Sequence, residues 1–443
     1  MIDLKNLRER PDIYKANMKK KGYGELKGRD NLVEEVLKLD EEWRAVKLKA
    51  DNLRRDRNRI SEEINLAKKS KDETAARELI QKAKEIPEKL KNLEIEEKDL
   101  FDSLNKQLSL IPNLMSKRVP LGKSEKDNKV DKIYGKPKKF SFPVKSHVEI
   151  AEALNMADFE SSARVAGTGF YYLESDLALL NQALINYARD FMVKKGFRYI
   201  ETPLMLKEEV IDKVTDLNDK TNQIYLAKDS DLALIGTSEH SLIGRFAGQE
   251  IPENALPIKH TSYSMCFRKE IGSHGLDEKG LFRTHQFNKI EMIVICKPEQ
   301  SETFFEEMKK ITVGIFKGLG IPIRVLKICS GDLGDLKYEQ VDIEAYSPRR
   351  KDYFEVGSCS NLTSAQARKL GISAIIKNQR ITPHTLNNTA IATSRALVAI
   401  LENFQNKDGT VAIPKVLHKY MGGKKKLEKQ IVNDKIKTQK KKK

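Results

Sequence analysis

Residues 258 to 295, IKHTSYSMCFRKEIGSHGLDEKGLFRTHQFNKIEMIVI, space arginines, an aromatic ring and carboxylates so that they can act together. The stretch predicts two strands joined by a polar loop, which Gly272, Gly275 and Gly280 punctuate. The first strand runs to about Arg268 and the second from Phe282 to Ile295. Side chains alternate faces along a strand, so Arg283, His285, Phe287, Lys289 and Glu291 share one face. Phe282, Thr284, Ile290 and Met292 share the other, and Arg268 and Glu270 share a face at the end of the first strand. An antiparallel hairpin brings these groups together. The planar, always charged fork of arginine suits phosphate. An aromatic ring can stack on a base, worth about 1–3 kcal/mol. A carboxylate can hold an ammonium group. Such a face suits a nucleotide together with an amino acid; the same alternation also fits a half-exposed sheet with a solvated charged face.

Three further sites carry chemistry-bearing residues. Thr237-Ser238-Glu239, in LALIGTSEHSLIGRF, stands at a strand-to-helix junction and, taken alone, is a helix cap with a nearby acid. Glu355 precedes Gly357 and Ser358 at a strand end in DYFEVGSCSNLTSAQARKLGI. Arg395 lies in an apolar helix after a strand that ends near Leu386. Such a charge needs a partner, for which a phosphate would serve, unless the side chain snorkels at the helix edge.

The chain that must position these groups has 443 residues, room for two or three domains of about 150 residues each. Its net charge of +17 fits a polyanionic partner or a lysine-rich solvated surface. Cys266, Cys296, Cys329 and Cys359 are far apart, with no CxxC or Cys/His cluster to suggest zinc or a disulfide frame. MIDLKNLRER is too charged for a signal peptide, and no run reaches the ~18 apolar residues of a membrane helix. A reducing, cytoplasmic compartment is expected.

From about Asn31, Leu39, Trp43, Val46, Ala50, Leu53, Arg57, Ile60 and Ile64 repeat at alternating spacings of 4 and 3, a coiled-coil seam with a polar slot at Arg57. Ser70-Lys71-Asp72-Glu73 has the form of a capping box opening a second helix. Its seam runs from Ala76 through Glu97 to Leu104, with Pro87 expected to kink it or cost a backbone bond. The pair predicts an antiparallel helical hairpin reaching roughly 50 Å. Lys47, Lys49, Arg54, Arg55 and Arg59 on the first helix fit solvated flanks or an arm that grips RNA backbone. The expected divisions are a helical arm over 1–112, a linker rich in Lys, Gly and Pro over 113–145, a catalytic domain over 146–423, and a lysine-rich tail over 424–443, expected to be disordered.

FRKE, a Gly-bearing loop, then LFRTHQF and KIE resemble motif 2 of class II aminoacyl-tRNA synthetases, with the closest fit to the seryl-tRNA synthetases. The helix SDLALLNQALINYARDFMVKKGF followed by RYIETPL resembles motif 1, the dimer-forming element, and TLNNT with TSRALVAILEN resembles motif 3. The Asn388-Thr389 wording is similar to archaeal and eukaryotic members. The opening MIDLKNLRERPDIYKANMKKKG also resembles that family, and the likeness covers Met1 to about Met421. Two departures stand in the EVGSCSN segment: Gly357-Ser358 where bacterial members often have two serines, and Leu362 where the family commonly has cysteine.

The resemblance implies an α+β fold, a class II antiparallel sheet of six to seven strands flanked by helices, in a homodimer with an N-terminal antiparallel two-helix coiled-coil arm. It implies a serine–tRNA ligase that uses ATP and Mg²⁺, needs no zinc, and binds tRNA(Ser) through the arm, with tRNA(Sec) where it exists. It implies that Arg268, Arg395 and Glu355 are catalytic. ATP would be held by Arg268, Lys269, Glu270, Arg283, Thr284, His285, Gln286, Phe287, Glu355, Val356, Gly357, Ser358 and Arg395. Within that set, Arg268 would take the α-phosphate, Arg395 and Arg283 the γ-phosphate, and Phe287 the adenine ring, sandwiched against Arg395 with Glu270 at its edge. L-serine would be held by Thr237, Ser238, Glu239, Arg268, Glu291 and Thr389, and Mg²⁺ by Glu355 and Ser358. A relative that charges carrier proteins would usually lack the arm. A non-catalytic RNA-binding paralogue would be expected to lack Arg268, Glu355 or Arg395, and all three are present.

Overall fold

The computed structural model describes residues 2–23, 29, 31–215, 222–270 and 280–430. The chain divides into two compact units, Met1–Pro112 and Asn113–Lys443. Gly272 and Gly275, and the tail beyond residue 430, lie outside the described residues.

In the first unit, helix α1 (Leu32–Lys69) and helix α2 (Glu73–Leu108) pair along their apolar seams. Trp43 meets Phe101 with ring centroids 5.5 Å apart, Lys47 meets Glu97 at 3.5 Å, and Arg54 meets Glu94 at 3.1 Å. Partners run down α2 as α1 runs up, so the helices are antiparallel. Val46, Ala50, Ile86, Leu90 and Leu104 are buried along the seam. The α1 helix has 38 residues, about 57 Å at 1.5 Å per residue. Arg57 does not fill a polar slot: it is exposed, and the seam passes it by. The polar seam residue is Glu97, which takes both Lys47 and, at 3.6 Å, Arg54. The expected cap is also shifted. Asp72, not Ser70, caps α2 by accepting from the Ala75 N–H at 3.0 Å, while Ser70 Oγ donates to the Leu66 and Ala67 carbonyls and closes α1. The α2 helix continues through Pro87, which has no N–H to give the preceding turn.

The second unit is built on a sheet of eight strands. They are β1 (Lys129–Tyr134), β2 (Arg198–Tyr199), β3 (Ile258–Phe267), β4 (Gln286–Cys296), β5 (Ile323–Lys327), β6 (Glu339–Ser347), β7 (Asp352–Thr363) and β8 (His384–Ala392). Their order is β1-β5-β6-β7-β8-β4-β3-β2. Every neighbouring pair is antiparallel except β2–β3. The sheet thus exceeds the expected six to seven strands, because residues 113–145 are no linker. Asn113 donates to the Leu336 and Leu362 carbonyls at 3.0 and 2.9 Å, and β1 adds an edge strand against β5. Of the lysines in that segment, Lys129 and Lys132 lie exposed on this edge strand. The motif 1 strand is shorter than RYIETPL. The motif 3 strand runs past Leu386 to Ala392. Nor is the chain beyond Gly423 all tail, since Lys426–Leu427 pairs with Val411–Ala412.

Five helices matter for the site: α3 (His147–Ala153), α4 (Ser175–Lys194), α5 (Ser238–Gly244), α6 (Ser301–Leu319) and α7 (Thr393–Asn403). Along β4, Ile290, Met292 and Val294 join one core with Leu180 and Leu184 of α4, Phe305 and Phe316 of α6, and Leu397 of α7. The alternate residues Ile293 and Ile295 join another with Leu242 and Ile243 of α5. The period of two assigns one core to each side of the sheet. Among the described residues no helix is long and apolar enough to cross a membrane.

A polar clasp ties α6 to β8. Asn388 Nδ2 donates to the Met308 carbonyl at 2.7 Å and to Thr312 Oγ1 at 2.9 Å, and Thr312 Oγ1 donates to the Thr389 carbonyl at 2.8 Å. All of these side chains are buried. Thr312→Val keeps the shape and removes the hydroxyl. We expect it to cost about 1–3 kcal/mol, read as a lowered urea unfolding midpoint.

Candidate active site

The β3–β4 ladder ends with Cys266 opposite Phe287 and Phe267 opposite Gln286. Just beyond it, the Arg268 N–H donates to the His285 carbonyl at 2.9 Å. Arg268 Nε donates to the Gly236 carbonyl at 3.2 Å, and its guanidinium carbon lies 5.3 Å from the Phe287 ring centroid. Behind it, His285 Nδ1 meets the Arg268 carbonyl at 3.0 Å and the Tyr225 hydroxyl at 3.1 Å, with its ring stacked on Phe170. Glu270, at φ 49°, faces Arg283 Nε at 3.8 Å.

Two cavities open here, and Arg268, Lys289, Glu355 and Thr389 line both. The first also has Glu270, Phe282, Arg283, Thr284, Phe287 and Arg395 in its wall. Its arginines and rings match the chemistry of phosphates and a base. The strand expected from Phe282 begins only at Gln286. Phe282, Arg283 and Thr284 therefore do not alternate, and all reach the same cavity. The Arg395 guanidinium carbon stands 5.5 Å from the Phe282 centroid, so in this structure Arg268 rather than Arg395 covers the Phe287 ring.

Glu355 lies within β7, not at its end. Arg395 Nη1 donates to the Glu355 carbonyl at 2.9 Å and to its Oε2 at 3.0 Å, which gives the charge in the apolar helix its partner. Burial pushes the Glu355 carboxyl up, but Arg395 outweighs it and holds the group below the ordinary range. Asp342 on β6, facing Ser358 across the ladder, moves the other way: burial, then the Glu355 charge, push it up to about 7. Two bulges aim these residues. Val356 has no partner on β6, and Ala390 has none on β4.

The second cavity holds Thr237, Glu239, Glu291, Asp342 and Ser358. Thr237 caps α5, accepting from the Glu239 N–H at 3.2 Å. Glu239 Oε1 accepts from Gln366 Nε2 at 2.9 Å and Asn387 Nδ2 at 2.8 Å. Burial, and then the nearby Glu291 charge, push its carboxyl up to about 7. Glu291 is itself paired with the buried Lys289 Nζ at 2.6 Å and accepts from Thr389 Oγ1 at 3.1 Å.

Val356 and Gly357 also line the first cavity, and Ser358 the second. Lys269, His285, Gln286 and Ser238 line neither. Ser238 is buried with its hydroxyl toward the Ser262 carbonyl, and Gln286 Nε2 turns to Met265 Sδ. Sequence reasoning missed Asp342, Gln366, Asn387 and the placement of Phe282. Only Asp342 left a signal, since the alternation of Gln340, Asp342 and Glu344 marks one face of β6.

Residues 208–404, which hold every residue lining the two cavities, match the tRNA synthetase class II core domain (G, H, P, S and T), and residues 1–115 match the seryl-tRNA synthetase N-terminal domain. The chain is 42% identical over 427 residues to a serine–tRNA ligase of Methanocella arvoryzae, covering 96% of this chain and 99% of that one. The crystal structure of seryl-tRNA synthetase from Pyrococcus horikoshii complexed with ATP superposes with a TM-score of 0.89 at 39% identity, over 97% of this chain and 100% of that one. The cytoplasmic serine–tRNA ligase of Naegleria fowleri in complex with AMP gives 0.83 at 33% identity, over 95% and 96%. Likeness at this level over nearly the full length, in both the arm and the core, shows that the chain belongs to the seryl-tRNA synthetase family.

Proposed function

We propose that this chain is a serine–tRNA ligase whose two cavities hold ATP and L-serine on either side of Arg268. The observation that carries this reading is the shared wall: an arginine reached from both cavities stands where an amino-acid carboxylate and a phosphate must meet. In the first step a serine carboxylate oxygen attacks the α-phosphorus of ATP, the bond to the β-phosphate oxygen breaks, and pyrophosphate leaves. In the second, the terminal adenosine hydroxyl of tRNA attacks the seryl carbonyl and AMP leaves. Positioning and charge stabilisation carry such chemistry without a protein nucleophile.

Arg268 holds the α-phosphate and offsets the charge that develops there. Arg283 and Arg395 bind the outer phosphates, which gives Arg395 a second anion besides Glu355. Phe287 stacks on adenine, with Glu270 at its edge. Glu239 and Glu291 hold serine's ammonium, while Thr237 and Thr389 orient it and its hydroxyl. A site that bonds that hydroxyl rejects alanine, which would leave its buried polar groups unpaired. The donor set suits a hard cation: Glu355, Ser358 and, behind them, Asp342 offer only oxygen. Among the described residues no three His, Cys, Asp or Glu side chains converge on one point, so a Mg²⁺ held by Glu355 and Ser358 would take its other ligands from phosphate oxygens and water. When bound with ATP, that ion neutralises phosphate charge. The protein acts as a cytoplasmic homodimer that takes tRNA(Ser) through its coiled-coil arm. A carrier-protein-charging reading is disfavoured by the presence of that arm.

Arg268→Ala should lower serine-dependent ATP–pyrophosphate exchange by about 100- to 1,000-fold with the fold intact by circular dichroism; near-normal exchange would sink the assignment. Removal of residues 31–110 should spare exchange and abolish charging of tRNA(Ser), measured with radiolabelled serine. Serine's ammonium binds the ionised form of Glu239, whose carboxyl stands near 7. Below that pH the free site holds a proton that serine must displace. The serine KM should therefore rise as pH falls from about 8 to about 6, approaching about tenfold per unit, and Glu239→Gln should flatten this slope.

A further inference from the structure

A buried imidazole joins three parts of the second unit beside the first cavity. His147, the first residue of α3, is only 2% exposed. The Leu281 backbone N–H donates to its Nε2 at 3.1 Å. Its Nδ1 lies 3.4 Å from Glu402 Oε1 near the end of α7, and its own backbone N–H donates to that same oxygen at 3.4 Å. An imidazole that accepts at Nε2 carries its proton on Nδ1, so the tautomer follows from the network: Nδ1–H donates to Glu402. Glu402 is itself fixed, by the Ser347 hydroxyl and by Arg349 Nε at 3.4 Å.

The chain passes unusually close to this ring. A Cβ at Gly280 would lie 2.4 Å from His147 Nε2 and 2.5 Å from Val148 Cγ2, and Gly280 has φ +103°. Glycine alone meets both demands. The residues that follow Leu281 are Phe282, Arg283 and Thr284, all in the wall of the first cavity and all outside the strand ladder, which starts at Gln286. Their backbone is pinned at the far end where the His285 N–H donates to the Gly169 carbonyl at 2.9 Å. At the near end the pin is Leu281 on His147.

We propose that His147, aimed by Glu402, is a positioning residue for ATP: through the Leu281 peptide it sets where Phe282, Arg283 and Thr284 stand around the nucleotide. This rests on the reading of the first cavity as the ATP site. A ring that merely filled space would give any variant of similar size the same effect. The bonding pattern makes a different demand, because asparagine can replace the Nδ1 donor but not the Nε2 acceptor, whereas glutamine can carry an acceptor out to the Nε2 position.

The test measures ATP and serine KM by serine-dependent exchange on the full chain, with thermal unfolding alongside. His147→Asn should raise the ATP KM about three- to tenfold and leave the serine KM within about twofold, while His147→Gln stays near wild type. Gly280→Ala should reproduce the rise in ATP KM, since the added methyl displaces the ring from Leu281. Equal effects of Asn and Gln, or parallel shifts in both KM values, would reduce His147 to packing and overturn the proposal. If His147→Asn does not fold, Gly280→Ala decides, and an unchanged ATP KM overturns it. Absence of exchange in the wild-type chain would overturn the reading of the site and the proposal with it.

Discussion

A carboxylate taken out of water needs a positive partner or a proton, and the site is organised by how that need is met. Glu355 has Arg395, Glu291 has Lys289, and Glu270 faces Arg283. Glu239 and Asp342 are bonded instead by neutral amides, from Gln366 and Asn387 in one case and Gln340 in the other. These are the carboxyls that rise to about 7. Both lie in the second cavity, which places the unmet demand for positive charge where we propose that an ammonium group and a divalent cation enter. Arg268 and Lys289 reach both cavities, but Arg283 and Arg395 stand only on the nucleotide side, where the incoming ligand is an anion.

The sheet makes this arrangement possible by being irregular in two places. A regular ladder would point Glu355 and Gly357 to one face and Thr389 and Ile391 to one face. The unpaired Val356 and Ala390 break the period next to the residues of the shared wall. The clasp of Asn388 and Thr312 then fixes the backbone of Thr389 from the opposite side of the sheet.

Much of this was legible in the residues. Alternation placed Phe287, Lys289 and Glu291 together because β4 is regular from Gln286 onward. The Thr237 cap and the need of Arg395 for an anion were legible because each is a local demand: an orphan N–H, a charge among apolar neighbours. What escaped depended on distant chain. Phe282 left its expected face because His147 and Gly169, far away in sequence, hold its segment off the ladder. The lysine-rich segment after Pro112 has the composition of a linker, and only the exposed edge of β5 makes it a strand. Ser70 has the residue type and spacing of a cap, and only the geometry of the turn gives that place to Asp72.

The seam of the arm carries one further meaning. An apolar coiled coil can slip along its partner by a heptad, about 10.5 Å, at little cost in contacts. Glu97 opposes this. Displaced by one heptad, its carboxylate would keep only one of Lys47 and Arg54, which stand seven residues apart on α1, and Trp43 would lose Phe101. The helical hairpin therefore favours one axial setting, which sets its length from base to turn, as in a measuring rod. A long substrate gripped along such an arm is not only bound but gauged.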